Sequence, residues 1–131
     1  MANEAILRVR KSNPIDMTVA DGAGIEKGAV LVLSDPLTAA ASTGTGDIVA
    51  GIAAREKIIS DGRTRLAVYT QGIFDMKVNA GTAVTIGTRV ATSGANLIRD
   101  ATEAEIAAGK SLGKALESGA VNEVIQVDLL L

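Results

Sequence analysis

Apolar and polar residues alternate along most of the chain with a period of two. In the segments 5–10, 73–78 and 125–131, apolar side chains fall mainly on one face of an extended chain and polar side chains mainly on the other. Alternation of this kind is typical of β-strands that are buried on one face. Val30–Leu33 is continuously apolar, which favours a strand covered on both faces. Short strands separated by glycine-containing turns predict an all-β (mainly β) domain, a small β-barrel or β-tulip-like fold.

Two segments depart from this alternation. Thr102 and Glu105 have the spacing of a capping box, which marks the first turn of a helix. Gly109 supplies a stop signal, so we predict one short helix over residues 103–108. The small and polar segment Thr38–Gly46 predicts a mobile loop.

An internal repeat organises the chain. Gly28 and Gly87 lie 59 residues apart, within segments that resemble each other. Three pairs of segments match in the same order: 24–31 with 81–90, 49–53 with 112–115, and 61–68 with 118–127. The repeat predicts two related β-units within one domain.

The composition allows a single domain and argues against several functions. The 131 residues include 15 acidic and 13 basic residues, a net charge of −2, and only two aromatic residues. Nucleic-acid binding is not expected, because phosphates need a basic surface and bases need aromatic platforms. Cysteine and histidine are absent, which removes disulfides, thiolate nucleophiles and the commonest ligands of transition metals. The first residues do not resemble a signal peptide and no apolar run is long enough to span a membrane, so no membrane partner is expected.

Motifs that suggest catalysis have simpler structural explanations. The segment Ala104–Ser111 matches a relaxed phosphate-loop pattern, but it lies in the predicted helix, whose amides are committed to helical hydrogen bonds. The acidic pairs Glu103/Glu105 and Asp16/Asp21 lack the spacing of a calcium-binding loop. We therefore expect no catalytic residues, no cofactor-binding residues and no metal ligands, and we predict that the chain is not an enzyme.

Lys77 gives a competing hypothesis. The segment Met76–Val78 resembles the modified-lysine hairpin of biotinyl and lipoyl carrier domains, which are also small barrels of two similar halves. In those carriers the glycine turn that Gly81–Gly87 resembles lies far from the lysine, whereas here it begins four residues later. Lys77 also falls within a predicted strand and not at a turn. A carrier barrel stays as the alternative function, with a modified Lys77 as its signature.

Four short motifs resemble those of a known family. Ile15–Ala20 and Ile25–Val32 are followed by Ile48–Ala53 and then by Tyr69–Phe74. In this order the motifs resemble the capsid decoration (cement) proteins of tailed phages, which are small β-proteins rich in alanine and glycine. The second unit follows the same order with the segments 80–84, 87–90 and 112–115.

The resemblance implies a structural protein of the virion. Such a protein, made in the host cytoplasm, binds the outside of an icosahedral capsid and stabilises contacts between major capsid subunits. Similar proteins often form trimers, so the implied partners are the major capsid protein and further copies of this chain. Another virion part, such as a spike or a tail adaptor, would have the same sequence features and stays open as an alternative.

We divide the chain into an N-terminal arm, residues 1–13, and a β decoration domain, residues 14–131. The arm precedes the repeat, and Pro14 separates it from the body because proline lacks an N–H for a strand ladder. We expect the arm to add as a strand to the capsid. The predicted capsid contacts are Glu4, Ile6, Leu7, Arg8, Val9, Arg10 and Lys11. The alternative is that residues 4–10 form an ordinary strand of the protein's own sheet.

The C-terminal run Leu129, Leu130 and Leu131 predicts an interface between copies. Adjacent leucines on a strand point to opposite faces, and one thin sheet cannot bury both. We expect a homotrimer that uses these three residues.

Overall fold

The computed structural model describes residues 3–79 and 81–131. Met1 and Ala2 of the predicted arm, and Ala80 of a predicted turn, lie outside the described residues. The described chain forms eleven strands and one helix, in this order: β1 Ile6–Arg10, β2 Ile15–Thr18, β3 Val30–Asp35, β4 Thr38–Ala41, β5 Val49–Ala53, β6 Arg65–Tyr69, β7 Gln71–Val78, β8 Arg89–Thr92, β9 Leu97–Asp100, α1 Glu103–Ala107, β10 Gly113–Ala115 and β11 Val124–Leu130.

Ten of these strands close two barrels of five strands each. The first barrel has the order β2-β4-β3-β5-β6. The second has the order β7-β11-β10-β8-β9, and a parallel pairing of β9 with β7 closes it. β1 pairs with β7 as an additional strand. The prediction of a mainly β, barrel-like fold is therefore confirmed.

The predicted repeat is the relation between the two barrels. In each barrel the first strand pairs in parallel with the third and antiparallel with the fifth. Gly28 and Gly87 hold the same place, with φ angles of +88° and +84°. Each donates its N–H to an alanine carbonyl 2.8 Å away, Ala53 in the first barrel and Ala115 in the second. Both turns need glycine because other residues are strained at such angles.

Apolar side chains fill both barrels and the boundary between them. Leu31 belongs to the cluster of the first barrel, whereas Phe74 and Val127 belong to that of the second. Val30 and Ile52 are strand residues of the first barrel, yet they pack in the second cluster. The two barrels therefore share a continuous apolar boundary.

Polar groups also connect the barrels. Asn96, in the turn between β8 and β9, is buried and has a φ angle of +61°. Its side-chain Oδ1 accepts a hydrogen bond from the N–H of Val30, at 2.9 Å, in the first barrel. Nearby, the N–H of Gly46 donates to the carbonyl of Thr92 at 3.0 Å. These bonds satisfy backbone groups that packing would otherwise leave without partners.

The prediction of a mobile loop over residues 38–46 is wrong for its first four residues. Thr38–Ala41 form β4, which pairs with β3 and, through Thr38, with Thr18 of β2. The small side chains of this segment show no alternation of apolar and polar residues, so the sequence did not predict a strand. Backbone pairing and the burial of Ala39 hold the strand instead. The rest of the segment joins the second barrel through Gly46 and through a bridge between Thr45 and Ser93.

The predicted helix and its cap are confirmed. α1 covers Glu103–Ala107; the Thr102 hydroxyl accepts from the Glu105 N–H, and the Glu105 carboxylate accepts from the Thr102 N–H. Gly109 has a φ angle of +74°, which ends the helix. Arg99 also donates to both carboxylate oxygens of Glu105, at 2.7 and 2.6 Å. This bond to Arg99, more than any other contact, lowers the pKa of Glu105 to about 2.

Candidate interaction surface

The N-terminal strand β1 extends the sheet of the second barrel beyond β7. Its residues pair antiparallel with β7, from Ile6 opposite Asp75 to Arg10 opposite Gly72. A bulge inserts Arg8 as an extra residue between two paired positions. β1 is therefore an edge strand of the protein's own sheet, as the alternative hypothesis for residues 4–10 proposed.

Contacts at both ends of β1 hold it to the body. Arg8 forms an ion pair with Asp75, with Nε and Oδ2 2.6 Å apart, and Lys11 pairs with Asp128 at 2.8 Å. Before the strand, the N–H of Ala5 donates to the Gly28 carbonyl of the first barrel at 2.8 Å. β1 thus contacts both barrels.

One face of β1, β7 and β11 points away from the second core, and we call it the outer sheet face. Residues directly opposite each other in antiparallel strands share a face. Ile6, Asp75 and Gln126 form one such row, and Val9, Ile73 and Asp128 form the next. Val124 and Leu130 lie on the same face at the two ends of β11.

Four apolar side chains are exposed on the outer sheet face. Ile6 is 60% exposed, Val124 57%, Val9 48% and Leu130 41%. Charged neighbours on the same face are largely paired, as for Asp75 with Arg8. Exposed apolar groups that share a face of a soluble protein commonly mark an interaction site.

The structure separates the predicted contact residues into exposed and buried ones. Ile6, Arg8, Val9, Arg10 and Lys11 are exposed, whereas Glu4 and Leu7 are half-buried and Leu7 packs on the second core. Of the three predicted interface leucines, Leu129 is buried in that core, whereas Leu130 and Leu131 are exposed. Alternation along β11 explains the difference, because Leu129 points into the barrel.

A groove lies between β1 and the first barrel. It has a volume of about 560 Å³, and Ala5, Leu7, Ile52, Tyr69 and Phe74 are among its lining residues. The rings of Tyr69 and Phe74 lie 5.8 Å apart within this lining. The groove runs beside residues 4–7, so this part of the chain borders both a cleft and the outer sheet face.

Lys57 is a buried charge that the sequence analysis missed. Its side chain is 1% exposed, and Nζ donates to the carboxylates of Asp21 and Asp61 and to the carbonyls of Asp21 and Ile58, at 2.9 to 3.1 Å. Burial by itself lowers the pKa of Lys57, but the two carboxylates outweigh it and raise the pKa above 10.5. The hydrogen bond from Lys57 Nζ lowers the pKa of Asp61. The Lys57–Asp61 spacing is the only sequence signal, and it does not reveal burial.

The residues that suggested other functions have defined structural positions. Lys77 lies within β7, paired with Leu97 on one side and Val124 on the other, and not at a hairpin turn. Asp21 and Glu105 are used by ion pairs. Among residues 3–79 and 81–131, no three acidic side chains are grouped as metal ligands would be. In the same part of the chain, no helix has the length and apolarity to cross a membrane.

The double barrel has an exposed outer sheet face that ends at the edge strand β1. These are features of a β-protein that binds other macromolecules. A comparison with protein families matches residues 9–129 to the phage cement proteins. This chain therefore belongs to the phage cement protein family, and it is a structural protein of a phage virion, located on the capsid. The search of curated proteins found no match.

Proposed function

We propose that this protein binds the outside of an icosahedral phage capsid and stabilises contacts between major capsid subunits. The family match over residues 9–129 carries the proposal. The open apolar groups of the outer sheet face support it, since a partner protein would cover them. We infer no catalytic activity and no bound cofactor.

The proposed capsid contact is the exposed part of the N-terminal segment. Ile6 and Val9 supply apolar area. The outer edge of β1 pairs with no further strand among the described residues, so a strand of the capsid protein can add to its backbone groups. Arg8, Arg10 and Lys11 border this area. Because Arg8 and Lys11 already pair with Asp75 and Asp128, they contribute more to orienting β1 than to attracting the capsid.

The proposed self-association uses Leu130 and Leu131. Both are exposed at the end of β11, and Leu130 lies on the outer sheet face. A homotrimer would bury them and present three copies of β1 to the capsid. Several weak contacts that act together bind far more tightly than one alone.

Replacing Ile6 and Val9 by threonine tests the capsid contact. Threonine keeps the β-propensity of the strand but removes apolar area, so the fold is retained and capsid affinity falls by about tenfold or more. The measurement is co-sedimentation with expanded capsids over a range of protein concentrations. We prefer this double variant to deletion of residues 2–12, because deletion also removes the two ion pairs of β1.

The matched control is the double variant Ile58→Thr/Ile59→Thr. Each of these isoleucines is 64% exposed, and both lie at the end of the first barrel, outside β1. This control is expected to bind capsids as the unmodified protein does. Equal binding by both double variants would contradict the proposed contact.

A further inference from the structure

One end of the second barrel is closed by the first barrel. Phe74, Thr92 and Asn96 lie at this end, and each is only 1% exposed. The ring of Phe74 lies 5.8 Å from that of Tyr69, and Asn96 accepts a hydrogen bond from the N–H of Val30. The Thr92 hydroxyl accepts a backbone N–H from the segment between β4 and β5. All three partners belong to the first barrel.

The equivalent end of the first barrel is open. Each of the three covered residues has an equivalent 59 residues earlier in the chain, namely Ile15, Leu33 and Leu37. Leu37 has a φ angle of +48° in its turn, close to the +61° of Asn96. Ile15 is 43% exposed, Leu33 41% and Leu37 57%. We call these three apolar residues the open barrel end, and their exposure indicates a partner that covers them.

The contact between the two barrels shows what kind of surface covers such an end. The first barrel contributes a row of residues that pair across β3, β5 and β6, namely Val30, Ile52 and Tyr69. It also contributes the segment between β4 and β5, where the N–H of Gly46 donates to the carbonyl of Thr92 at 3.0 Å. The covering surface is therefore one row of strand residues with one connecting segment beside it.

The second barrel has the equivalent surface, and there it is exposed. The equivalent row crosses β8, β10 and β11 with Arg89, Lys114 and Asp128, and Lys114 at its centre is exposed. The row continues the outer sheet face, where Leu130 is 41% exposed. The equivalent connecting segment contains α1, which buries no residue and leaves Ile106 41% exposed. We call Ile106, Lys114 and Leu130 the covering face.

The charge beside the open barrel end favours the covering face over a second open end. Asp35 is exposed in β3, between Leu33 and the turn that holds Leu37. Two open barrel ends in contact would bring two Asp35 carboxylates together, and like charges in an interface are unfavourable. The covering face offers the cation of Lys114 with apolar side chains on both sides of it, so it is complementary in charge and in polarity.

We propose that the covering face of one copy of this chain packs on the open barrel end of a second copy, as the first barrel packs on the second within the chain. The proposal rests on the self-association proposed above, and it names the surface that Leu130 meets. The two surfaces differ, so the copies meet head to tail. Contacts of this kind form closed rings when the rotation between copies allows it, and a homotrimer is a ring of three.

Replacing Leu33 by threonine and Leu37 by asparagine tests the open barrel end. The second barrel has these same residues at the equivalent positions, and asparagine tolerates a left-handed backbone angle, so the fold is retained. Self-association of the free protein is expected to weaken by about tenfold or more, because apolar area is lost from the contact. The measurement is sedimentation velocity over a range of protein concentrations.

The matched control is the double variant Ile58→Thr/Ile59→Thr. The N–H of Ser60 donates to the carbonyl of Asp21, so these isoleucines lie beyond the last residue of β2, whereas Ile15 begins that strand. Each is 64% exposed, so the control removes a similar apolar area. It is expected to change self-association by less than about threefold.

The double variant Ile106→Gln/Leu130→Thr tests the covering face. Glutamine suits the helix and threonine suits the strand, and this variant is also expected to associate about tenfold more weakly or worse. Each of the two test variants keeps one of the two surfaces. An equimolar mixture is therefore expected to form pairs but no larger assembly. Weakened association in only one of the two variants would overturn the head-to-tail contact.

Cross-linking covers the case in which a double variant does not fold. The chain has no cysteine, so two introduced cysteines report a single contact. Leu33→Cys protein mixed with Ile106→Cys protein is expected to form covalent pairs with a short bismaleimide. Ile58→Cys mixed with Ile106→Cys is the control and is expected to stay unlinked. Equal cross-linking in both mixtures would overturn the proposal.

Three further results would overturn the proposal. One is a chain that stays monomeric at every concentration, and another is equal association by the open-end variant and its control. The third is an open-end variant that self-associates normally but no longer co-sediments with capsids, because the capsid protein would then be the occupant. Association is measured on free protein and capsid binding is scored separately, so failure of this contact is distinguishable from failure of the capsid-binding function.

Discussion

Glu105 combines two structural roles in one carboxylate. It closes the capping box with Thr102 and receives both donors of the Arg99 guanidinium. Its carboxylate also lies against Gly46, between β4 and β5 in a segment that contacts the second barrel, where an added Cβ would overlap it. The helix is therefore held in place by charge and capping, since none of its residues is buried.

Replacing Glu105 by glutamine is expected to destabilise the protein at neutral pH, by an amount on the order of 1–2 kcal/mol. Glutamine can still cap the helix, but it cannot neutralise Arg99. The pKa of Glu105 is about 2 in the folded protein and 4.5 ordinarily, so the unfolded state takes up the proton first as the pH falls. The stabilisation is present above pH 4.5 and is lost between pH 4.5 and about 2.

Urea unfolding at several pH values measures this effect. The difference between Glu105→Gln and the unmodified protein is expected to shrink as the pH falls through that window. Glu103→Gln is the control, because Glu103 is exposed in the same helical turn and outside the Arg99 ion pair. A difference that stays constant with pH would contradict the assigned role.

Lys57 shows how one residue makes the two barrels unequal. Ile25 bridges to Lys57 in the first barrel, and Val84 bridges to Gly119 at the equivalent place in the second. In the second barrel, the space beside Gly119 is filled by the side chain of Ile125. In the first barrel, the side chain of Lys57 is buried, and its ammonium group is bonded to Asp21 and Asp61. One barrel end is thus closed by a polar cluster and the other by an aliphatic side chain.

At the scale of elements, the equivalent turns at Gly28 and Gly87 allow the docking of β1 to be measured. The two glycines have nearly the same φ, but only Gly28 carries another segment against it. An added Cβ at Gly28 would overlap the Ala5 carbonyl oxygen, whereas nothing lies within 4 Å of one at Gly87. The difference between the two sites is therefore the contact with Ala5.

Substituting alanine at each position separates backbone strain from the loss of that contact. Gly87→Ala is expected to cost about 1–2 kcal/mol, the strain of a left-handed angle. Gly28→Ala is expected to cost about 1 kcal/mol more, because Ala5 must move and its hydrogen bond to Gly28 is lost. Urea unfolding gives both costs, and faster hydrogen exchange of the β1 amides in Gly28→Ala alone would locate the change. Equal costs would show that β1 gains nothing from the first barrel.

At the scale of the whole molecule, the shared apolar boundary and the Asn96 junction predict that both barrels unfold together. Asn96→Ala is expected to lower the free energy of unfolding by about 2–4 kcal/mol, because the buried N–H of Val30 loses its acceptor and a left-handed angle loses a tolerant residue. Unfolding is expected to remain a single transition, since the hydrogen bond between Asn96 and Val30 connects both barrels.

Asn122→Ala is the control for the Asn96 junction. Asn122 has a φ angle of +65° but is exposed, so its replacement is expected to cost only about 1 kcal/mol, from the backbone angle. Calorimetry that resolves two transitions in the unmodified protein would contradict a jointly stabilised pair of barrels.

The sequence by itself determined the features that depend on neighbouring residues. Alternation along 73–78 and 125–131 predicted β7 and β11, because a strand shows its buried face every second residue. The Thr102–Glu105 spacing located the helix, since a capping box is closed within one turn. The family resemblance came from short motifs that follow one another in the same order in both halves of the chain.

Only the tertiary structure decided which strands meet and which charges are buried. β4 has no alternation of its own and becomes a strand through pairing with β3 and β2. Arg8 pairs with Asp75, 67 residues along the chain, and Lys11 pairs with Asp128, 117 residues along the chain. The position of β1 could therefore not be predicted from the local sequence. The burial of Lys57 likewise depends on how distant segments pack. Long-range packing sets these features, because the free energy of a buried charge depends on every group that surrounds it.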